Sequence, residues 1–227
     1  MRLIRGRVQD LRFERDSLKA QLLALQNVEE ENLRLRALVG LTERGKNQFA
    51  PANLFPAGRT GQIVARSFRL DLGADDGVKP DAPVIAPEGL VGVVRVTSGG
   101  QALGDFWTHP EFRVSAMTTD GRVFGIIRPL GESPLLMQLD GAPYQLELAA
   151  GTELVTSGMG GVFPRGIPIG RVTRLMSAEE GWARSYEVQP STYPEAAVEV
   201  MVLIERDEAG DLEDAWNQAA TDSRQGQ

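Results

Sequence analysis

The residues with the strongest claim to chemistry are Ser157, His109 and a group of aspartates. Ser157 lies in Thr156-Ser157-Gly158-Met159-Gly160-Gly161, a small-residue run that superficially resembles a hydrolase loop. A serine nucleophile needs a base within hydrogen-bond reach and a third group that orients the base. The chain has one histidine, His109, followed by Pro110 and so placed in a turn; a triad is not expected. Gly158 to Gly161 lacks the following Lys-Ser/Thr and the helix that would make it a phosphate cradle. Asp71, Asp75 and Asp76 precede Gly77, but their spacing is wrong for a calcium loop and no glutamate falls at the twelfth position; a solvated turn is expected. Arg2, Arg5 and Arg7 could meet anionic lipid heads beside a membrane helix, although three arginines on a helix surface are more often simply solvated. With no cysteine there is neither a disulfide framework nor a thiolate site. No catalytic residue, metal or cofactor is expected.

The elements around these residues fall into two kinds. The first segment reads as one long helix over 1–44. Ile4, Val8, Leu11, Leu18, Leu22 and Leu25 follow alternating steps of four and three, with Arg15 the charged intruder, and a second run continues through Val28, Asn32, Leu35 and Val39. This is a heptad seam. Steps of three from Leu22 to Leu25 to Val28 shift its register in the manner of a stammer. So narrow a stripe needs a partner helix, whereas a helix folded back on its own chain usually carries a wider one. Asn32 in the seam suits a pairing that trades stability for register. Gly40 and Gly45 then end the helix.

Residues 45–58 contain Pro51 and Pro56 and no periodicity, so they read as a linker. Beyond Arg59 the chain shows eleven short β-type runs, at 62–65, 68–72, 83–86, 89–97, 113–118, 122–128, 135–139, 153–156, 167–175, 185–189 and 198–204. Gly, Pro, Asp or Asn fill nearly every gap. Such a series predicts small antiparallel barrels or sandwiches and lacks the helices of a parallel sheet. The fold class expected is therefore mainly β with an N-terminal α coiled coil and two small β-barrel-like lobes. The first lobe covers 59–108, with 196–206 a candidate to complete it, and the second covers 109–195. Residues 207–227 form an acidic tail expected to be disordered.

Charge follows the same division. Residues 1–46 hold ten basic and seven acidic residues, leaving fourteen basic and twenty-four acidic for the rest, a net of −10 against −7 for the whole. Such a body repels phosphates, so no nucleic acid partner is expected. No run of eighteen apolar residues occurs, and Met1 to Arg7 cannot form the apolar core of a signal peptide.

Several phrases together resemble one family. Glu31-Asn32-Leu33-Arg34-Leu35-Arg36-Ala37-Leu38, then Asp71 to Val78, Pro83-Val84-Ile85, Gly89 to Val94, and above all Val155 to Val172 are similar, in order, to the rod shape-determining protein MreC family. The segment Gln101 to Trp107 and the tail after Glu205 match less clearly. The resemblance implies a non-enzymatic scaffold of cell-wall elongation at the periplasmic face of the bacterial inner membrane. It would be held by a single-pass anchor upstream of Met1, absent from this chain. It implies homodimers, with filaments a further possibility, and as partners a class B penicillin-binding transpeptidase and other elongation-complex membrane proteins. The seam residues would carry dimerisation. Thr156, Ser157, Gly158, Gly160, Gly161, Phe163, Pro164, Gly166 and Gly170 would form a structural signature loop, and partner-binding residues remain unassigned. The alternative is a periplasmic adaptor of a transport assembly, which would need two antiparallel helices where this chain offers one terminal segment.

Overall fold

The computed structural model describes residues 11–24, 47–57, 65–131, 135–178 and 183–205. Residues 11–24 are helical and exposed along their length. This helix belongs to a different compact unit from the β region, and it is the one α-helix among the described residues, with no second helix paired to it there. Seam positions Ile4, Val8, Leu25, Val28, Asn32, Leu35 and Val39 lie outside the described residues.

The β region holds twelve strands among the described residues, in two closed antiparallel barrels of six. The first has the order β1 (Gln48–Ala57), β12 (Glu199–Glu205), β3 (Pro83–Ala86), β4 (Gly89–Ser98), β5 (Gln101–Phe106), β2 (Ser67–Leu70). In the second the order is β10 (Pro168–Ala178), β11 (Ala183–Pro190), β8 (Leu136–Pro143), β7 (Phe124–Leu130), β6 (Val114–Thr118), β9 (Glu153–Thr156). Closure leaves no free sheet edge.

The reading of 45–58 as a linker is corrected, because Gln48–Ala57 is β1 and pairs with both β12 and β2. Its prolines are tolerated where the ladder does not require their N–H, and of its ten residues only Ala52 and Leu54 are buried. β5, between two predicted runs, was also hidden. Its inward residues are Ala102, Gly104 and Phe106, too small a set to give apolar alternation.

Each barrel has its own filling. In the first, the fully buried Phe68 meets Phe106 edge to face with ring centres 5.0 Å apart, amid Leu70, Val84, Val91, Val94 and Val202. In the second, Phe112, Ile127, Met137, Leu139, Tyr186 and Val188 pack together. β4 differs from ordinary strands in being buried on both faces from Gly89 to Val94, which explains its unbroken apolar sequence. Val91 and Val94 fill the first barrel, while Leu90 and Val93 join the core of the second.

Polar ties on the second barrel's outside make its stability pH-dependent. Arg174 donates to Glu187 from Nε (3.1 Å) and Nη2 (2.6 Å), and the Thr173 hydroxyl adds a bond of 2.8 Å. The Arg174 bonds first, then Thr173, hold the Glu187 carboxyl below the usual glutamate range. A depressed carboxyl contributes stability above its unfolded pKa of about 4.3, and that contribution is lost as pH falls through the folded value. Glu187→Gln is therefore expected to cost stability at neutral pH and to flatten the decline below about pH 4.3. Urea midpoints of both proteins across that range check this; a parent–variant gap that does not shrink on acidification would refute it.

Candidate functional site

The phrase from Thr156 to Gly170 forms the connection from β9 to β10, and one hydroxyl bonds both of its ends. Thr156 is fully buried. Its Oγ1 donates to the Pro164 carbonyl (2.5 Å) and accepts from the Ile167 N–H (2.9 Å). The backbone repeats the closure, with Thr156 N–H bonded to the Ile167 carbonyl and Gly166 N–H to the Thr156 carbonyl, each at 2.9 Å. The ends of the loop are thereby pinched together.

Side chains fix the rest of the loop. Phe163 is buried and stands edge-on to Phe112 at 6.0 Å, with Pro164 half-buried beside it. Gly158 has φ +80°, and a Cβ there would press on Arg165 at 3.3 Å, so both conformation and space call for glycine. Gly161 and Gly166 also have positive φ. Gly160 lies over the Ser115 hydroxyl, and Gly170 packs against the Gln189 carbonyl of β11. At the tip Met159 is 75% exposed.

The groups considered for catalysis are engaged in turns. Ser157 donates its N–H to the Ser115 carbonyl (2.9 Å), and its Oγ accepts from Met159 N–H (3.3 Å). His109 Nδ1 accepts from Glu111 N–H (3.3 Å). Neither makes a hydrogen bond to the other, so the nucleophile–base contact of a triad is not formed. Asp71 accepts from the Asn53 side chain (2.7 Å) and backbone (2.8 Å), which lowers its pKa. Asp76 accepts from Gly73 N–H (2.9 Å). These carboxylates tie β1 and the Ala74–Asp76 turn in place, and among the described residues no cluster of three metal-ligating side chains converges.

The helix presents a different kind of site. Leu11, Leu18 and Leu22 are 59%, 58% and 57% exposed, and with Glu14, Arg15 and Lys19 they line one apolar strip. A second exposed surface lies on the outside of the first barrel. Register places Val96 beside Leu103, Leu103 beside Arg69, and Arg69 beside Phe55, across β4, β5, β2 and β1. Val96, Leu103 and Phe55 are all exposed, and the Arg69 guanidinium covers the Phe55 ring at 4.9 Å. No sequence signal could find this row, because its members are neighbours only through strand pairing.

The family model described as rod shape-determining protein MreC, barrel core, matches residues 57–204, a span that holds the Thr156 loop, the whole second barrel and the first barrel apart from most of β1 and the end of β12. The chain belongs to the MreC family. It is 30% identical over 191 residues to the cell shape-determining protein MreC of Listeria monocytogenes, covering 83% of this chain and 64% of the relative. The chain thus spans less than two thirds of that MreC's length. A solved MreC structure from Listeria monocytogenes superposes with a TM-score of 0.76 at 29% identity, covering 90% of this chain and 98% of the other. The MreC fold also extends to a structure of a complex between a penicillin-binding protein, PBP2, and MreC from Helicobacter pylori. That match has a TM-score of 0.55 at 16% identity and covers 70% of this chain and all of the other.

Proposed function

We propose that this MreC-family chain is a non-enzymatic scaffold of bacterial cell-wall elongation, which self-associates through its N-terminal helix and binds a class B penicillin-binding transpeptidase to maintain cell shape. The observation that carries the reading is the strip of Leu11, Leu18 and Leu22, each more than half exposed, on a chain of a cell shape-determining family. Burying one leucine contributes about 1.5–3 kcal/mol, so a seam left in water wants a second copy.

Charge supports a parallel, in-register pair. With Leu11 and Leu18 at d and Leu22 at a, Glu14 falls at g and Lys19 at e. The g residue of one helix meets the e residue of the next heptad on its partner, so Glu14 would face Lys19 of the second copy. Arg15 at a weakens the seam and disfavours denser bundles. The partner reading is supported by the Helicobacter pylori relative, whose complex is with a penicillin-binding protein. In this proposal an anchor upstream of Met1 places the barrels on the periplasmic face of the inner membrane, and other elongation-complex membrane proteins and filaments are further contacts of the dimer.

The test is the mass in solution. Leu18→Asp with Leu22→Asp puts four carboxylates into each paired seam and is expected to convert a dimer into a monomer in sedimentation velocity, leaving the β signature of the circular dichroism spectrum intact. A parent that sediments as a monomer, or a variant of unchanged mass, defeats the self-association. Co-sedimentation with a purified class B transpeptidase tests the partner separately.

A further inference from the structure

We propose that the two barrels are locked into one rigid body by the Trp107 latch and the Gly89–Pro168 contact, so that the chain holds whatever binds its two barrels at a fixed separation and angle. Small domains joined by short crossings reorient unless the interface between them is large and apolar. Here the crossings are 107–113 and 191–198, between β5 and β6 and between β11 and β12, and three independent features oppose reorientation.

The first is a clip between the crossings themselves. Trp107 is 1% exposed and its indole N–H donates to the Thr192 carbonyl at 2.8 Å, while its ring stands edge-on to Tyr193 at 6.5 Å. Each crossing therefore holds the other, and neither can swing alone without leaving a buried donor or acceptor unpaired. The second is a shared core. Leu90 and Val93 of β4 belong to the same apolar cluster as Ile127, Leu139 and Val188 of the second barrel, and Ile85 packs against it. The third is a backbone notch. Gly89 has φ +147°, and a Cβ there would collide with the Pro168 carbonyl at the start of β10, so main chain rests on main chain with no side chain to slide between. Interiors packed in this way resist continuous deformation.

This inference concerns the barrels alone and stands whether or not the helix pairs. A fixed geometry would spare a bound partner the cost of ordering the two barrels. The absence of cysteine makes the chain suited to site-directed spin labelling, with labels at Gln101→Cys on the first barrel and Gln145→Cys on the second, both exposed positions. Labelled chain diluted into unlabelled chain isolates the distance within one molecule. The parent is expected to give one narrow distance peak by double electron–electron resonance. Trp107→Ala should lose that single peak to a broad or multiple distribution, and Trp107→Phe, which keeps a ring but loses the N–H, should fall between. Gly89→Val should shift the peak, because the added side chain wedges the barrels apart. A broad distribution in the parent overturns the proposal, as does an unchanged peak in Trp107→Ala with both barrels folded. Should Trp107→Ala fail to fold, the parent and Gly89→Val still decide.

Discussion

Gly104→Val is expected to lower stability by about 3 kcal/mol or more, at the upper end of what overpacking costs. A Cβ at Gly104 would stand 2.5 Å from the Val93 carbonyl oxygen and 2.6 Å from Cε2 of Phe68. Neither neighbour can give way. Val93 belongs to the β4–β5 ladder, paired with Asp105, and the Phe68 ring is fully buried against Phe106. On the same ring a Cβ at Gly92 would meet Cε1 at 2.9 Å. The ring thus occupies the space that two side chains of β4 and β5 would otherwise fill. Phe68→Ala alone should cost about 3–5 kcal/mol. Combined with Gly104→Ala it should cost less than the sum, by about 0.5–3 kcal/mol for residues in contact, because the new methyl enters the emptied slot. Urea midpoints and slopes of the four proteins supply the cycle. A Gly104→Val protein within about 0.5 kcal/mol of the parent, the range of ordinary surface changes, would show that the slot is not rigid.

The same slot explains what the sequence could and could not reveal. Alternation found the strands whose inner faces are made of large apolar residues, such as β11 with Tyr186 and Val188. It failed at β5, where Phe68 from a neighbouring strand does the filling and the strand contributes Ala102 and Gly104. It failed at β1 because two prolines read as interruption, although a barrel strand can place them where no N–H is needed. Val198 joins an alternating run with Val200 and Val202, yet it is exposed. It lies before β12 and contributes its carbonyl to Leu54 N–H at 2.8 Å. β4 was legible as a strand, but nothing in Gly-Leu-Val-Gly-Val-Val says that its second face meets another barrel. The exposed strip of Leu11, Leu18 and Leu22 was legible from spacing alone, since a helix needs no partner strand to define its faces. The outer row of Val96, Leu103 and Phe55 was not, because its members are brought together only by register. In the Thr156 loop, Thr156 and Ser157 both belong to the expected signature phrase, and their order in the sequence does not say which hydroxyl closes the loop. The answer depends on burial. Thr156 faces inward and serves both a carbonyl and an N–H, whereas Ser157 Oγ accepts one bond of 3.3 Å from Met159.

Thr156→Val should therefore be among the most damaging single changes outside the aromatic cores, costing about 2 kcal/mol or more, while Thr156→Ser should cost about 1 kcal/mol. Valine keeps the shape and replaces the hydroxyl by a methyl group, so the Pro164 carbonyl and the Ile167 N–H lose their side-chain partner in a site from which water is excluded. Each buried group left unpaired costs about 1–3 kcal/mol. Serine keeps the hydroxyl and loses only the methyl group. The two variants also separate in kind. Amide exchange at Ile167 should accelerate in Thr156→Val beyond the change in global stability, because the bond protecting that N–H is gone, and should follow global stability in Thr156→Ser. If the two variants match in both stability and Ile167 exchange, the hydroxyl does not close the loop, and the glycines and Phe163 must hold it by packing alone.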